Sequence, residues 1–300
     1  MVVLITGING FLGSSLTSKL LENGDKVIGI DINHTDRTSK FEINKNFMFI
    51  KAGYDDYPNI EINEPIDAFV HLAWIGVSGT DYLDINKQIN NIVGAINLLN
   101  LANKVNAKKF IFIDSSHEYQ KNKNSKNKLG YCSIYGAAKK STRCFLDTIG
   151  HNLGIDIIGV AFTNVYGFGD YSFRSANSII CNIMKNSSAD LIEGTHLHDW
   201  TYITDAINGI IAVLNKGIAG KTYYIDSRNL ITFKEIVEKV KNSINPNAIL
   251  NFGTYKDSAY IDYSFFDLNL AYEDTGFESK ISVEEGSKLT LDWLKKINRI

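Results

Sequence analysis

The segment SIYGAAKK, residues 133–140, places Tyr135 and Lys139 four positions apart, on one face of the stretch if it is helical. Alone, the pair reads as a surface tyrosine over a lysine stem. Ser115 and Ser116, which follow the apolar run KFIFI (109–113), supply what an acid–base unit would need. A phenol can take a proton from an alcohol, or return one to a ketone oxygen, once its pKa falls from about 10 toward neutrality. An ammonium at about 5 Å, in an effective dielectric of about 20, contributes roughly 3 kcal/mol, or about two pK units. A serine hydroxyl would bond the reacting oxygen. The chemistry such a set serves is hydride movement at a carbinol carbon, with the proton handled at its oxygen.

Short apolar runs, VVLI (2–5), KVIGI (26–30), FMFI (47–50), AFVHL (68–72), KFIFI and DIIGV (156–160), alternate with amphipathic stretches such as SSLTSKLLENG (14–24), which stops at Gly24. That alternation predicts a parallel sheet with helices on both faces. Ser115 and Ser116 then fall at the carboxyl end of a strand, where open α/β sheets present their ligand crevice. Past residue 163 the pattern breaks up, although KTYYID (221–226) reads as one more strand. The expectation is an α/β protein: a Rossmann-type doubly wound parallel sheet from 1–162, rejoined by about 204–226, with a smaller C-terminal α/β substrate lobe from 163–203 and 227–300.

VVLITGINGFLG (2–13) sets Gly7, Gly10 and Gly13 three apart between a strand and a helix. A tight turn alone would explain them. Backbone amides at a helix N-terminus also favour a pyrophosphate, and glycines let it approach. Asp31 ends the next strand, near the spacing at which a carboxylate takes the adenosine ribose hydroxyls. Its charge would repel a 2'-phosphate, so NAD is expected over NADP; Arg37 nearby would soften the preference.

The spacing GxxGxxG resembles the extended branch of the short-chain dehydrogenase/reductase superfamily, the NAD-dependent epimerase/dehydratase family. HLAW (71–74) resembles its HLAA, NNIVGAINLL (90–99) its NVxGTxNLL helix, and FIDSSHEYQ (112–120) its SSxxxYG strand end. YGAAK (135–139) is similar to YxxxK, NVYGFGD (164–170) to NVYGPG, and HDWTYITD (198–205) to RDFxYVxD. The resemblance implies a cofactor site from Gly7, Asn9, Gly10, Phe11, Leu12 and Gly13, with Asp31, from Leu72, Ala73 and Trp74, and from Asn91. It implies Tyr135 as acid/base and Lys139 as its tuner and a cofactor-ribose ligand. Ser116 is expected to bond the reacting oxygen, since the family's catalytic hydroxyl commonly follows another small residue. The loop is about a residue shorter than SSxxxYG. Glu118 matches the glutamate that serves sugar-nucleotide 4,6-dehydratases as base at C5, with His117 at the acid; a locally bonded loop carboxylate is the alternative.

Relatives with this architecture mostly bind nucleoside-diphosphate sugars in the C-terminal lobe, which implies Ser116, His117 and Asn164 on the substrate. Ala161 replaces an arginine found in many relatives, His198-Asp199-Trp200 replaces RDF, and Tyr54 stands where an aspartate often meets the adenine. His198 and the remaining arginines, Arg174 and Arg228, are the candidates for the diphosphate end. His196 and His198 lack a carboxylate or cysteine cluster, so no metal is expected.

The function that fits best is a 4-epimerase of a nucleoside-diphosphate hexose. A 4-keto-hexose reductase, a 4-dehydrogenase, a 4,6-dehydratase and a non-enzymatic dinucleotide-binding sensor or scaffold stay open. FGTYKDSAY (252–260) is similar to a segment of deoxysugar 4-ketoreductases, which favours the reductase. A formal net charge of -2 over 300 residues offers no attraction to nucleic acid or anionic membrane. KNKNSKNK (121–128) reads as a solvated loop. Three unpatterned cysteines, Cys132, Cys144 and Cys181, argue against a disulfide framework. MVVLITG meets a glycine turn too soon for a signal peptide, and no run reaches membrane-spanning length. A cytoplasmic protein is expected, and a homodimer through helices within 82–104 and 134–152.

Overall fold

Seven of the apolar runs pair into one parallel sheet in a computed structural model that describes residues 1–122, 133–172, 175–185, 189–227, 230–256 and 259–299. Along the chain run β1 (Val2–Thr6), α1 (Phe11–Glu22), β2 (Lys26–Asp31), α2 (Asp36–Glu42), β3 (Phe47–Lys51), β4 (Ala68–His71), α3 (Ile85–Lys104), β5 (Lys109–Ile113), α4 (Ile134–Leu153) and β6 (Asp156–Ala161). Then come α5 (Ser175–Met184), α6 (Ile203–Lys216), β7 (Thr222–Tyr224), α7 (Phe233–Ile244), α8 (Leu270–Thr275) and α9 (Val283–Lys296). The sheet order is β7–β6–β5–β4–β1–β2–β3. The order reverses at β1, which pairs with both β2 and β4, so the crevice opens beyond the carboxyl ends of β1 and β4.

The strands are apolar throughout because both faces are covered. Val3, Ile5, Val27 and Ile158 enter the core on one side, Leu4, Ile28, Phe69 and Phe110 on the other, all fully buried. Each such side chain contributes about 1.5–3 kcal/mol by leaving water. Helix α4 begins where Ser133 Oγ accepts from Gly136 N at 3.0 Å, and it ends at Gly154 in a left-handed conformation, φ 68°. That start fixes Tyr135 and Lys139 on its first two turns.

The stretches expected to form a C-terminal lobe are built from short pairs. Residues 164–166 pair with 200–202, 189–191 with 250–252, and 197–198 with 231–232. Residues 120–122 pair with 259–261 and tie the lobe to the loop beyond β5. Arg37 adds a second tie, donating to Gly169 O at 2.9 Å. Among the described residues no helix is long and apolar enough to cross a membrane. Cys132 and residues 123–128 of the lysine-rich segment lie outside the described residues.

Candidate active site

The glycine turn is packed against the end of β4. Gly7 has φ +75°, and a Cβ there would lie 2.8 Å from Ala73 N; a Cβ on Gly13 would meet Gly7 O at 2.1 Å. Side chains at these positions would fill the space between turn and loop. Two adjoining cavities open there. One, about 260 Å³, is lined by Gly7, Gly10, Asp31, Tyr54, Leu72 and Trp74; the other, about 480 Å³, by Phe11, Leu12, Ser115, His117, Tyr135 and Lys139 among others. A glycine cradle shared by two cavities, with a carboxylate in the first and an acid–base set in the second, fits an extended dinucleotide.

Asp31 Oδ2 accepts from Asn9 N at 2.9 Å and Oδ1 from Ile32 N at 2.8 Å, which holds the carboxylate at the rim of the smaller cavity. Arg37, expected to soften the choice against a 2'-phosphate, is spent elsewhere: its guanidinium donates to Asn9 O, Gly10 O, Ser14 Oγ and Gly169 O. Asn9 closes the turn, its amide donating to Asn33 O at 2.7 Å while its Oδ1 accepts from Thr38 at 2.9 Å. Asn91 was expected at the cofactor, and the structure puts it one layer behind. It is fully buried, accepting from Tyr54 Oη at 2.7 Å and Ile75 N at 2.8 Å and donating to Ile75 O at 2.8 Å. It fixes the loop that carries Leu72, Ala73 and Trp74, and these three do line the cavity. Tyr54 reaches it because α3 carries Gly94, whose Cβ would lie 2.4 Å from the Tyr54 ring.

Residues 114–119 separate two adjacent serines. Ser115 lines the larger cavity and its Oγ accepts from His117 N at 3.2 Å. Ser116, the expected partner of the reacting oxygen, has its side chain in the core instead. It is fully buried and its Oγ has no hydrogen-bond partner among the described residues. Glu118 also turns inward, because it completes a capping box with Ser115, its Oε1 accepting from Ser115 N at 3.1 Å. Burial, and then the neighbouring Asp114 carboxylate, push the Glu118 carboxyl well above the usual range. Asp114 is itself raised by burial, against the Arg143 guanidinium that bonds it at 3.0 Å.

Tyr135 faces the cavity between Tyr82, stacked at 5.0 Å, and Trp74, edge-on at 6.1 Å. Tyr82 went unnoticed in the sequence, where GTDYL (79–83) carries no motif. His117 meets the Tyr135 ring at 5.9 Å, and its Nδ1 bonds Tyr82 Oη at 2.8 Å. Lys139 is buried below, Nζ donating to Ile113 O at 2.6 Å. On the lobe side a cavity of about 440 Å³ is lined by His117, Thr163, Asn164 and His198 among others. Asn164 Nδ2 stands 3.3 Å from His198 Nε2. Burial pushes the His198 imidazole down to about 4, so it is neutral at pH 7 and brings no charge to a diphosphate. Arg174 and Arg228 lie outside the described residues.

A parallel sheet with a glycine turn at its switch point and a Tyr–Lys–Ser set beside it defines a dinucleotide-dependent oxidoreductase-type enzyme. Residues 3–226 match the model of the NAD dependent epimerase/dehydratase family. The chain belongs to that family and is an NAD-dependent enzyme. It is 28% identical to the UDP-glucuronate 4-epimerase of Thermodesulfobacterium geofontis, over 98% of this chain and 96% of that protein. It is 27% identical to the protein CapI of Staphylococcus aureus, over 98% of each. Among solved structures it is similar to UDP-glucuronic acid 4-epimerase from Bacillus cereus, in complex with UDP-glucuronic acid and NAD, with TM-score 0.80 at 25% identity over 99% of this chain and 100% of that one. The fold is shared with DesIV, a dTDP-glucose 4,6-dehydratase from Streptomyces venezuelae, TM-score 0.82 at 20% identity over 99% of this chain and 97% of that one.

Proposed function

We propose that the protein epimerises C4 of a nucleoside-diphosphate hexose, with UDP-glucuronate the first substrate to test, given the relatives above. The observation that carries this reading is one cavity wall on which Ser115, Tyr135, Lys139 and Asn164 all lie, contiguous with the glycine turn. Tyr135 takes the proton from O4, Ser115 donates a hydrogen bond to the same oxygen, and the Lys139 ammonium stabilises the phenolate. NAD, held between the glycine turn and the Tyr135 wall, would supply the hydride acceptor and donor at C4. When the ketone turns over in the lobe cavity, Tyr135 gives its proton back to the new O4, so no proton or cofactor is consumed. Asn164 contacts the sugar or diphosphate at the junction. The dehydratase alternative loses its base, because Glu118 caps a turn inside the core.

The active form is a homodimer. Ile85, Ile89 and Val93 are 58%, 51% and 45% exposed on successive turns of α3, and Phe145 on the adjacent α4 is 51% exposed. A second copy would cover this stripe, which a lone sheet-covering helix leaves in water. Cys144 and Cys181 are free thiols, which suits a reducing cytoplasm.

The test incubates the protein with a panel of nucleotide hexoses, no dinucleotide added, and follows the sugar by NMR. A C4 epimer forming over many turnovers is expected. Product capped at one equivalent per site, or none until NAD(P)H and a 4-keto sugar are supplied, would overturn the reading in favour of a net reductase or dehydrogenase.

A further inference from the structure

Tyr135, Lys139 and Arg143 stand four apart on one face of α4, and all three are buried. The mechanism above uses the first two. Arg143 meets the strand end instead: its Nη1 donates to Asp114 Oδ2 at 3.0 Å, one residue before Ser115. Lys139 Nζ holds Ile113 O at 2.6 Å, so the consecutive residues 113 and 114 are both pinned to the helix that carries Tyr135.

The sheet makes room for the pair. A Cβ on Gly159 of β6 would stand 1.9 Å from Arg143 Nη1 and 2.1 Å from Asp114 Oδ2, so a side chain there would take the place of the two charged groups. Arg143 also donates to Thr222 Oγ1 at 2.7 Å and Lys221 O at 3.2 Å, at the edge strand β7, and to Asp147 Oδ1 at 2.8 Å along its own helix. Stability alone gives little reason for such a pair, since apolar residues of similar volume often serve a core as well. What the pair adds is a directional join between two elements that each carry part of the acid–base set.

We propose that Arg143 is a positioning residue for the reaction: through Asp114 it seats α4 on the end of β5, so that the Ser115 hydroxyl and the Tyr135 phenol meet the same substrate oxygen. It rests on the reading above in taking those two groups as the ones that handle that oxygen. Arg143 itself lines none of the cavities described above, and it touches no reacting atom. A shift of the helix against the strand end would leave both hydroxyls present but out of line with one oxygen. A misplacement of about 1 Å is enough to cost up to about 100-fold in rate. The loss falls on kcat, with KM and NAD affinity little changed, because the glycine turn and the lobe cavity stay as they are.

The experiment is a kinetic double-mutant cycle between Arg143→Gln and Ser115→Ala, run on the nucleotide hexose panel and on a nucleoside-diphosphate 4-keto-6-deoxyhexose with NADH. In the unmodified background Arg143→Gln should lower kcat by about 30- to 100-fold. Where Ser115→Ala has already removed the hydroxyl to be placed, the same change should cost less than about fivefold. Gly159→Ala, which forces the pair apart while keeping both charges, should repeat this pattern. If Arg143→Gln does not fold because Asp114 is left buried alone, the double variant Asp114→Asn, Arg143→Gln takes its place. Equal losses in the two backgrounds, or a kcat within about twofold of the unmodified protein in a folded variant, overturns the assignment and leaves the pair a brace of the fold. Turnover of the ketone with no hexose epimerised defeats the epimerase reading, and the cycle is then scored on the ketone; turnover of neither by the unmodified protein defeats both.

Discussion

The Lys139 ammonium nitrogen sits 3.8 Å from the centroid of the Trp74 ring, inside a wall closed by Phe112 at 4.7 Å. Cation–π contact and the bond to Ile113 O replace only part of its hydration, so burial pushes Lys139 down to about 7, against the Asp114 and Glu118 carboxylates, which raise it. A lysine titrates near 10.4 in the unfolded chain, so between about pH 7 and pH 10 the unfolded state binds more protons. Stability from this group therefore rises with pH through that window. Buried Tyr54 and Tyr224 are shifted upward and lose stability only above it. The cofactor-free protein should gain in urea midpoint from about pH 7.5 to pH 9.5, and Lys139→Met should flatten the gain. An equal slope in both proteins would refute a buried, depressed lysine.

Asp31 predicts the cofactor preference. Its carboxylate is pinned by two backbone amides at the rim of the smaller cavity, and Arg37 cannot swing to neutralise a 2'-phosphate without releasing four hydrogen bonds. NAD should bind at least about tenfold more tightly than NADP, a difference of roughly 1.4 kcal/mol, by calorimetry. Asp31→Ala should narrow the gap mainly by improving NADP. Equal affinities in the unmodified protein would contradict the reading.

The apolar stripe on α3 predicts a dimer at micromolar concentration by light scattering. Ile89→Asp, placed at the middle of the stripe, should yield a folded monomer, because an unpaired carboxylate in an apolar interface costs several kcal/mol while costing little in water. A monomeric wild type removes the inference.

The sheet was legible because strands covered on both faces must be continuously apolar, and few other arrangements satisfy runs such as KFIFI and DIIGV at those spacings. The glycine turn was legible for a related reason: Gly7 and Gly13 lie where backbone meets backbone, a constraint that leaves a mark on residue type. What could not be read was which way individual side chains point once strand periodicity ends. Asn91 matches a motif, yet nothing local shows that its side-chain polar atoms are spent on Tyr54, Ile75 and Gln88. Glu118 and Ser115 form a capping box at a spacing of three, S-x-x-E in the sequence, which is the signal that could have turned Glu118 inward beforehand. Tyr82 reaches the site from a loop before α3, and only the fold brings it to Tyr135.

The choice between two adjacent serines gives the sharpest test of the site. Beyond β5 the chain keeps pairing with β6, Asp114 N donating to Val160 O at 2.8 Å and Ser116 N to Phe162 O at 3.1 Å. Ser115 then lies on the cavity wall, and its Oγ, accepting from His117 N, keeps its own hydrogen to donate to a substrate oxygen. Ser116 is fully buried and is not part of that wall. Tyr135→Phe removes the hydroxyl proposed as the acid–base group and should lower turnover by about 10²–10⁴ while leaving NAD binding intact. Ser115→Ala should cost roughly 100-fold, about 2.7 kcal/mol of transition-state stabilisation. Ser116→Ala removes a buried hydroxyl that has no partner among the described residues, so turnover should stay within about threefold and the melting temperature should hold or rise. Steady-state kinetics and a thermal melt on the three variants decide the matter: a large loss in Ser116→Ala with little in Ser115→Ala would mean that the turn reorganises when substrate binds, and would return the role to Ser116.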